Sequence, residues 1–239
     1  MSITTFVSGF PRIGSNREYK WAVEKYWRKE ISNQELWDIV DSQIVDSWTE
    51  QKNFSISKQL IGDFSFYDQV LDTITHLGIP LKRFGYVSFS NLDSYFTAAR
   101  GGDVSGKKEQ PLEMTKWFNT NYHYLVPEID WSKPFEPDIY RLVHEYHLAE
   151  RNNVDVIPKI LGPATLMTLS KEGDISEEQK EFLLKSYLKL FSEIKKLGIS
   201  EVMLDEAGVA IGDHFVSKSH FVCLIDLTKA SDMDIRING

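Results

Sequence analysis

The chain has 239 residues, 42% hydrophobic and 26% charged, and its 14 Phe, 10 Tyr and 6 Trp carry too much apolar area for disorder to be the main state. Lys and Arg total 27 against 35 Asp and Glu, a net charge of −8, which argues against a general nucleic-acid or anionic-membrane surface. The single cysteine, Cys223, excludes an intrachain disulfide and any multi-thiolate metal site built from this chain.

The start, Met1-Ser2-Ile3-Thr4-Thr5, lacks the basic and apolar stretches of a signal peptide. No apolar run approaches the ~20 residues of a membrane span. A soluble, cytoplasmic protein is expected. Thr4 to Phe10 reads as a short strand, followed by a loop through Pro11 to Asn16 and a helix from near Arg17. Trp21, Ala22, Val23, Tyr26 and Trp27 give that helix an apolar face, and Glu24 and Arg28 form an i,i+4 pair. A second helix opens at Asn33 as N-cap, with Glu35 in its first turn. Leu36, Ile39, Val40, Ile44 and Trp48 follow its 3.6-residue period. Gln59-Leu60-Ile61 predicts a strand ending at Gly62-Asp63, and Ser65 to His76 a helix stopped by Gly78 and Pro80.

Further along, Tyr86 to Phe89 predicts a strand, Leu92 to Arg100 a helix, and Gly101 to Pro111 a polar loop. The second half of Met114 to Val126 predicts a strand. Asp138 to Asn152 reads as helix and Val154 to Leu161 as a mostly buried strand. A long helix spans Ser176 to Leu197, with Ser176 and Gln179 as a capping box and Gly198 as the stop. Glu201 to Asp205 is a strand, Phe221 to Leu227 is strand-like, and Ser231 to Gly239 is a polar tail. Strands alternating with helices predict an α/β fold with a mainly parallel sheet. Several strands end in Gly, Asp or Glu, on the side where such folds place their sites. No repeat or linker divides the chain.

Three groups of residues could carry chemistry. Arg12, Arg17 and Lys20 flank the loop after the first strand. Arg17 and Lys20 stand at i,i+3 beside exposed helix-start N–H groups, which suits a phosphate or carboxylate; the alternative is a solvated helix end near Glu18 and Glu24. Lys116, Trp117, Asn119, Asn121, Tyr122, His123 and Tyr124 combine stacking faces with directed donors, as a planar polar ligand needs; the alternative is an aromatic core strand with its polar residues in solvent. Asp205-Glu206 at a strand end can do acid/base work, bind cations, or cap the next helix. Asp63, Asp68 and Asp72 are less specific. His144 and His147 stand at i,i+3, not at the i,i+4 spacing of the helical metalloprotease motif, and read as surface histidines. No Gly-rich phosphate loop or serine elbow is present.

Gly9-Phe10-Pro11-Arg12-Ile13-Gly14 with Arg17-Glu18-Tyr19-Lys20 resembles the start of cobalamin-independent methionine synthase. Gly62 to Leu71 and Glu113 to Tyr124 are similar to two further signatures of that family. Leu161-Gly162-Pro163 and Leu204-Asp205-Glu206 match two more, in order. The resemblance implies a (β/α)8 TIM-barrel type of fold, the N-terminal barrel of a two-barrel enzyme. It also implies transfer of a methyl group from 5-methyltetrahydropteroyltri-L-glutamate to L-homocysteine, giving methionine. By that resemblance Arg17, Glu18, Tyr19, Lys20 and Lys116 contact the folate polyglutamate, with cations opposing its carboxylates. Tyr19 stands where the family usually has Leu, and Ala207 where it usually has Pro. The family's zinc ligands are absent here, and no cobalamin is implied.

Roughly six or seven strands are counted against the eight of a closed barrel. The expected organisation is therefore a partial barrel over residues 1–212, then an unrecognised segment, 213–239, made of a last strand and a tail. The chain is expected to hold folate polyglutamate without catalysing alone. The zinc-bearing C-terminal barrel would then be supplied on another chain. A non-catalytic partner subunit of a split enzyme and a decayed fragment are the alternatives. No nucleic-acid or membrane partner is expected.

Overall fold

The computed structural model describes residues 4–172, 174–211 and 216–239. The boundary expected between residues 212 and 213 lies outside them.

Helix α1 (Glu18–Trp27) buries Tyr19, Ala22, Val23 and Tyr26, the i, i+3, i+4, i+7 positions of one face. Trp21, expected on that face, is instead 49% exposed. Thr4 to Phe10 does not form the predicted strand. Its backbone is held at Thr5, whose carbonyl accepts from the N–H groups of Ser57 and Lys58. Helix α2 (Asn33–Asn53) is capped by Ser32, not Asn33. The Ser32 hydroxyl accepts from the Glu35 N–H while the Glu35 carboxylate accepts from the Ser32 N–H at 2.7 Å. Strand β1 (Gln59–Ile61) follows as predicted.

Helix α3 (Gln69–Leu77) starts four residues later than Ser65, because the Asp68 carboxylate accepts from the N–H groups of Val70 and Leu71 and fixes the start there. Helix α4 (Leu92–Arg100) agrees with the sequence pattern. Tyr86 to Phe89 forms no strand. The Asp138 carboxylate takes the Phe89 N–H and the Ser88 hydroxyl, so a side chain replaces a ladder partner there. The predicted polar loop is a hairpin of β2 (Gly102–Val104) and β3 (Lys107–Glu109). Its two-residue turn, Ser105-Gly106, has φ of 52° and 83°, the left-handed pair that matches strand twist. A second hairpin joins β4 (Met114–Lys116) to β5 (His123–Leu125).

Then come α5 (Tyr140–Arg151), β6 (Val156–Leu161) and α6 (Pro163–Ser170), the last with proline at its first turn. Helix α7 (Glu177–Lys196) has the predicted Ser176/Gln179 capping box, and Gly198 follows with φ 84°. Strand β7 (Glu201–Asp205), helix α8 (Ala207–Ile211), helix α9 (Lys218–Ala230) and strand β8 (Asp234–Asn238) complete the chain. Phe221 to Leu227, expected as strand, lies inside α9. Ser217 accepts from the His220 N–H as its cap, and His220, Cys223, Leu224 and Leu227 are buried at helical spacing. The tail expected after Ser231 contains β8.

The chain forms two compact units, residues 1–65 with 142–158, and residues 66–141 with 159–239. In the first, β1 pairs in parallel with the first half of β6, Gln59 opposite Val156 through Ile61 opposite Pro158. Trp48 anchors α2 there by donating its indole N–H to the Leu60 carbonyl at 3.2 Å. In the second unit the other half of β6 runs parallel to β7, Lys159 opposite Met203, and β7 runs parallel to β8, Glu201 opposite Asp234. Parallel strands joined through helices make this an α/β protein. The second unit also buries an ion pair. The Arg141 guanidinium lies 3.0 Å from Asp72, which accepts a 2.6 Å hydrogen bond from the Tyr95 hydroxyl.

Candidate functional site

In the first unit the loop before α1 is tied down at both ends. The Phe10 N–H donates to the Asp63 carboxylate at 3.2 Å. Further on, the Arg17 N–H donates to the Gly14 carbonyl (3.1 Å) and the Tyr19 N–H to the Ile13 carbonyl (3.3 Å). The Glu18 carboxylate reaches back to accept from the Asn16 backbone N–H at 3.0 Å and from its side-chain amide at 2.9 Å. Hydrogen bonds from its own backbone N–H and from Asn16 hold that carboxyl below the usual range. Gly14 has φ +81°, and a Cβ there would run into the Glu18 carboxylate and Gln43.

This turn leaves Arg17 in the left-handed region, φ 63° and ψ 34°, exposed, with no side-chain partner among the described residues. Lys20 is exposed too, 3.8 Å from Glu24, with its ammonium 4.9 Å from the Trp21 ring centre. Tyr19 points the other way: it is buried, edge-on to Phe64 at 4.9 Å between centroids. Of the four consecutive residues expected at the folate tail, two present cations to solvent, one braces the turn and one belongs to the core. A nearby cavity of about 30 Å³, bounded by Phe10, Trp48, Gln51, Asp63 and Glu145, has room for about one water molecule and none for a pterin.

Lys116 lies in the second unit, exposed on β4 opposite His123. Trp117, Phe118, Tyr122 and Tyr124 pack edge-on, with Trp117 5.4 to 6.0 Å from the other three ring centres. The buried Tyr124 hydroxyl donates to the Leu169 carbonyl at 2.9 Å, and burial pushes it up to about 12. Lys116, Asn119, Asn121 and His123 face solvent. The segment is thus an aromatic core hairpin carrying a polar, cationic outer side.

The carboxylates at the end of β7 separate in role. Asp205 pairs with the Lys159 ammonium at 3.0 Å. Glu206 is buried and accepts from the Ala164 N–H (3.1 Å), the Thr165 N–H (2.7 Å) and the Thr165 hydroxyl (2.6 Å). It caps α6, not the helix that follows it in sequence. Burial raises its carboxyl to about 7 against the pull of those bonds. Asp68 is raised to about 7 by burial in the same way.

Sequence reasoning gave Asp72 little weight and did not find Arg141 or Tyr95. The ion pair spans 69 residues, and no local pattern signals it. His144 turns to Asp41 (2.7 Å), His147 to Glu150 (2.8 Å), and Glu145 accepts from the Gly62 N–H (2.6 Å), so the three do not converge. Among the described residues no three His, Cys, Asp or Glu side chains are grouped to hold a metal. Cys223 is buried with its thiol pushed up to about 12. The residues present do not fit a thiolate-bound zinc ion. No described helix is long and apolar enough to cross a membrane.

Parallel strands, hairpin-borne cations and carboxylate-capped helix starts define an α/β protein with polar groups gathered at strand ends. The chain belongs to the family described as cobalamin-independent synthase, N-terminal domain, whose model matches residues 4–230. It is 34% identical over 239 residues to a 5-methyltetrahydropteroyltriglutamate–homocysteine methyltransferase of Lactococcus lactis subsp. lactis, covering 99% of this chain and 32% of that protein. It is 36% identical over 239 residues to the enzyme of that name from Thermosynechococcus vestitus (99% and 30%), and 40% identical over 223 residues to that of Trichodesmium erythraeum (92% and 29%). The chain spans about a third of the length of these curated relatives.

Proposed function

We propose that this chain is the folate-polyglutamate-binding part of a methyltransferase that moves a methyl group from 5-methyltetrahydropteroyltri-L-glutamate to L-homocysteine. It would be the N-terminal (β/α)8-type barrel of a two-barrel enzyme. Arg17 and Lys20 would oppose carboxylates of the glutamate tail, and Lys116 is a further proposed folate contact on the resemblance alone. The observation that carries this reading is Arg17: an exposed guanidinium without a side-chain partner among the described residues, on a backbone held in the left-handed region. A charge-assisted, bidentate bond from such a group to a carboxylate is among the stronger polar contacts available to a protein. The thiolate-activating chemistry of homocysteine would then belong to another part of the enzyme, a reading supported by the lone cysteine and by the lack of a metal-holding group among the described residues.

Calorimetric titration with the triglutamate and monoglutamate forms of methyltetrahydrofolate tests the reading. The triglutamate is expected to bind more tightly, and Arg17→Ala or Lys116→Ala to erase about tenfold of that preference, the 1.4 kcal/mol of one charged hydrogen bond. Equal binding of the two ligands, untouched by either substitution, overturns it. Methionine formed by the purified chain with zinc and both substrates would overturn the assignment of catalysis elsewhere.

A further inference from the structure

The resemblance counts Glu18 among the folate contacts, yet a carboxylate is a poor neighbour for a ligand whose tail is a run of carboxylates. Its oxygens are already engaged: one accepts from the Asn16 backbone N–H and the other from the Asn16 side-chain amide. Its head lies against Gly14, where a Cβ would strike it. These bonds, with the Arg17 N–H bond to the Gly14 carbonyl, close residues 14–18 into a ring. Arg17 sits in that ring at φ 63°, a conformation that is unfavourable for an L-residue with a Cβ and persists only when its surroundings enforce it.

We propose that Glu18 is a positioning residue, whose carboxylate braces the 14–18 turn, holds Arg17 in its left-handed conformation before ligand arrives, and does not itself touch the glutamate tail. This rests on the folate reading above. It also accounts for an acidic residue between two cations: its charge is spent on backbone and amide donors of the turn. A turn ordered in advance spares the ligand the ordering entropy.

Three single variants and one double variant test it in the full chain. Glu18→Ala is expected to weaken triglutamate binding about fivefold through lost pre-ordering and leave monoglutamate binding unchanged. Asn16→Ala removes only the side-chain half of the brace, its backbone N–H still donating to Glu18, and is expected to weaken triglutamate binding about twofold; Glu18→Gln, whose amide oxygen can likewise still accept the Asn16 N–H, is expected to lose about as little. In the double variant with Arg17→Ala, Glu18→Ala should add nothing, because it acts through Arg17. Full additivity, or a Glu18→Gln protein as weak as Glu18→Ala, overturns the proposal.

Backbone NMR couplings at Arg17 read the brace apart from any ligand. A positive-φ signature that survives Glu18→Ala overturns it even if binding falls. If Arg17→Ala leaves the triglutamate preference intact, the folate reading fails. Loss of the positive-φ signature in Glu18→Ala would then still support the brace.

Discussion

Two turns of this chain are built on one plan and reach opposite electrostatic results. At Gly14 and at Gly162 the space a Cβ would fill is taken by a glutamate carboxylate, Glu18 in one case and Glu206 in the other. Each carboxylate accepts backbone N–H groups near a helix start. Glu18 is only half-buried, so hydrogen bonding dominates and its carboxyl is lowered. Glu206 is buried, so desolvation outweighs three hydrogen bonds and its carboxyl rises to about 7. Burial, not the bond pattern, decides the sign. The first turn leaves a cation exposed at the surface; the second closes a helix start into the core.

Alanine at the two glycines breaks the comparison most severely. Gly162→Ala is expected to cost about 3 kcal/mol in urea unfolding, since a Cβ must displace a buried, thrice-bonded carboxylate. Gly14→Ala carries the added burden of φ +81° but lets Glu18 swing into solvent, and is expected to cost about 1 kcal/mol. Equal losses would show that burial is not what separates the turns.

Next in size is pH. A carboxyl whose folded value lies above its ordinary 4.5 contributes stability in full below about 4.5 and loses it as pH rises through about 7. Asp68 acts in the same sense. His76, pushed down to about 3 by burial, acts oppositely: its contribution is present above 6.5 and is lost as pH falls. The difference between wild type and Glu206→Gln isolates the one group. It is expected to move by roughly 3 kcal/mol against wild type between pH 4.5 and 7.5; a flat difference removes Glu206 from the account.

The smallest effect sharpens the other turn. Arg17→Gly relieves the left-handed backbone and removes the cation, so stability should rise by about 0.5 kcal/mol while the triglutamate preference is lost. A fall in the thermal midpoint would mean that the conformation is not strained.

What the sequence made legible was local. Ser176, Gln179 and Gly198 mark the ends of α7 because caps and stops act within three or four residues. Arg17 and Lys20 were legible for the same reason, being one helical turn apart. The apolar stretch Phe221 to Leu227 carries no alternation to tell strand from helix, and its deciding cap, Ser217, stands four residues before it. The β2–β3 hairpin was hidden because its residues are polar on both faces and only Ser105-Gly106 announces the turn. Glu206 and Thr165 lie 41 residues apart, so the choice between acid/base group and cap needed the fold. The quoted motifs end at residue 206, whereas the family match reaches residue 230 within α9, where no short signature stands out.

The tip at Ser105-Gly106 has a practical use. Its turn is exposed; Gly106, at φ +83°, is the glycine the turn requires, which leaves the exposed Ser105 as the position for a new side chain. Cys223 is buried and its thiol stays protonated at neutral pH, which leaves it sluggish toward alkylating dyes. A thiol engineered at this tip would therefore label selectively, and a fluorophore there could report on the chain while the native cysteine stays silent.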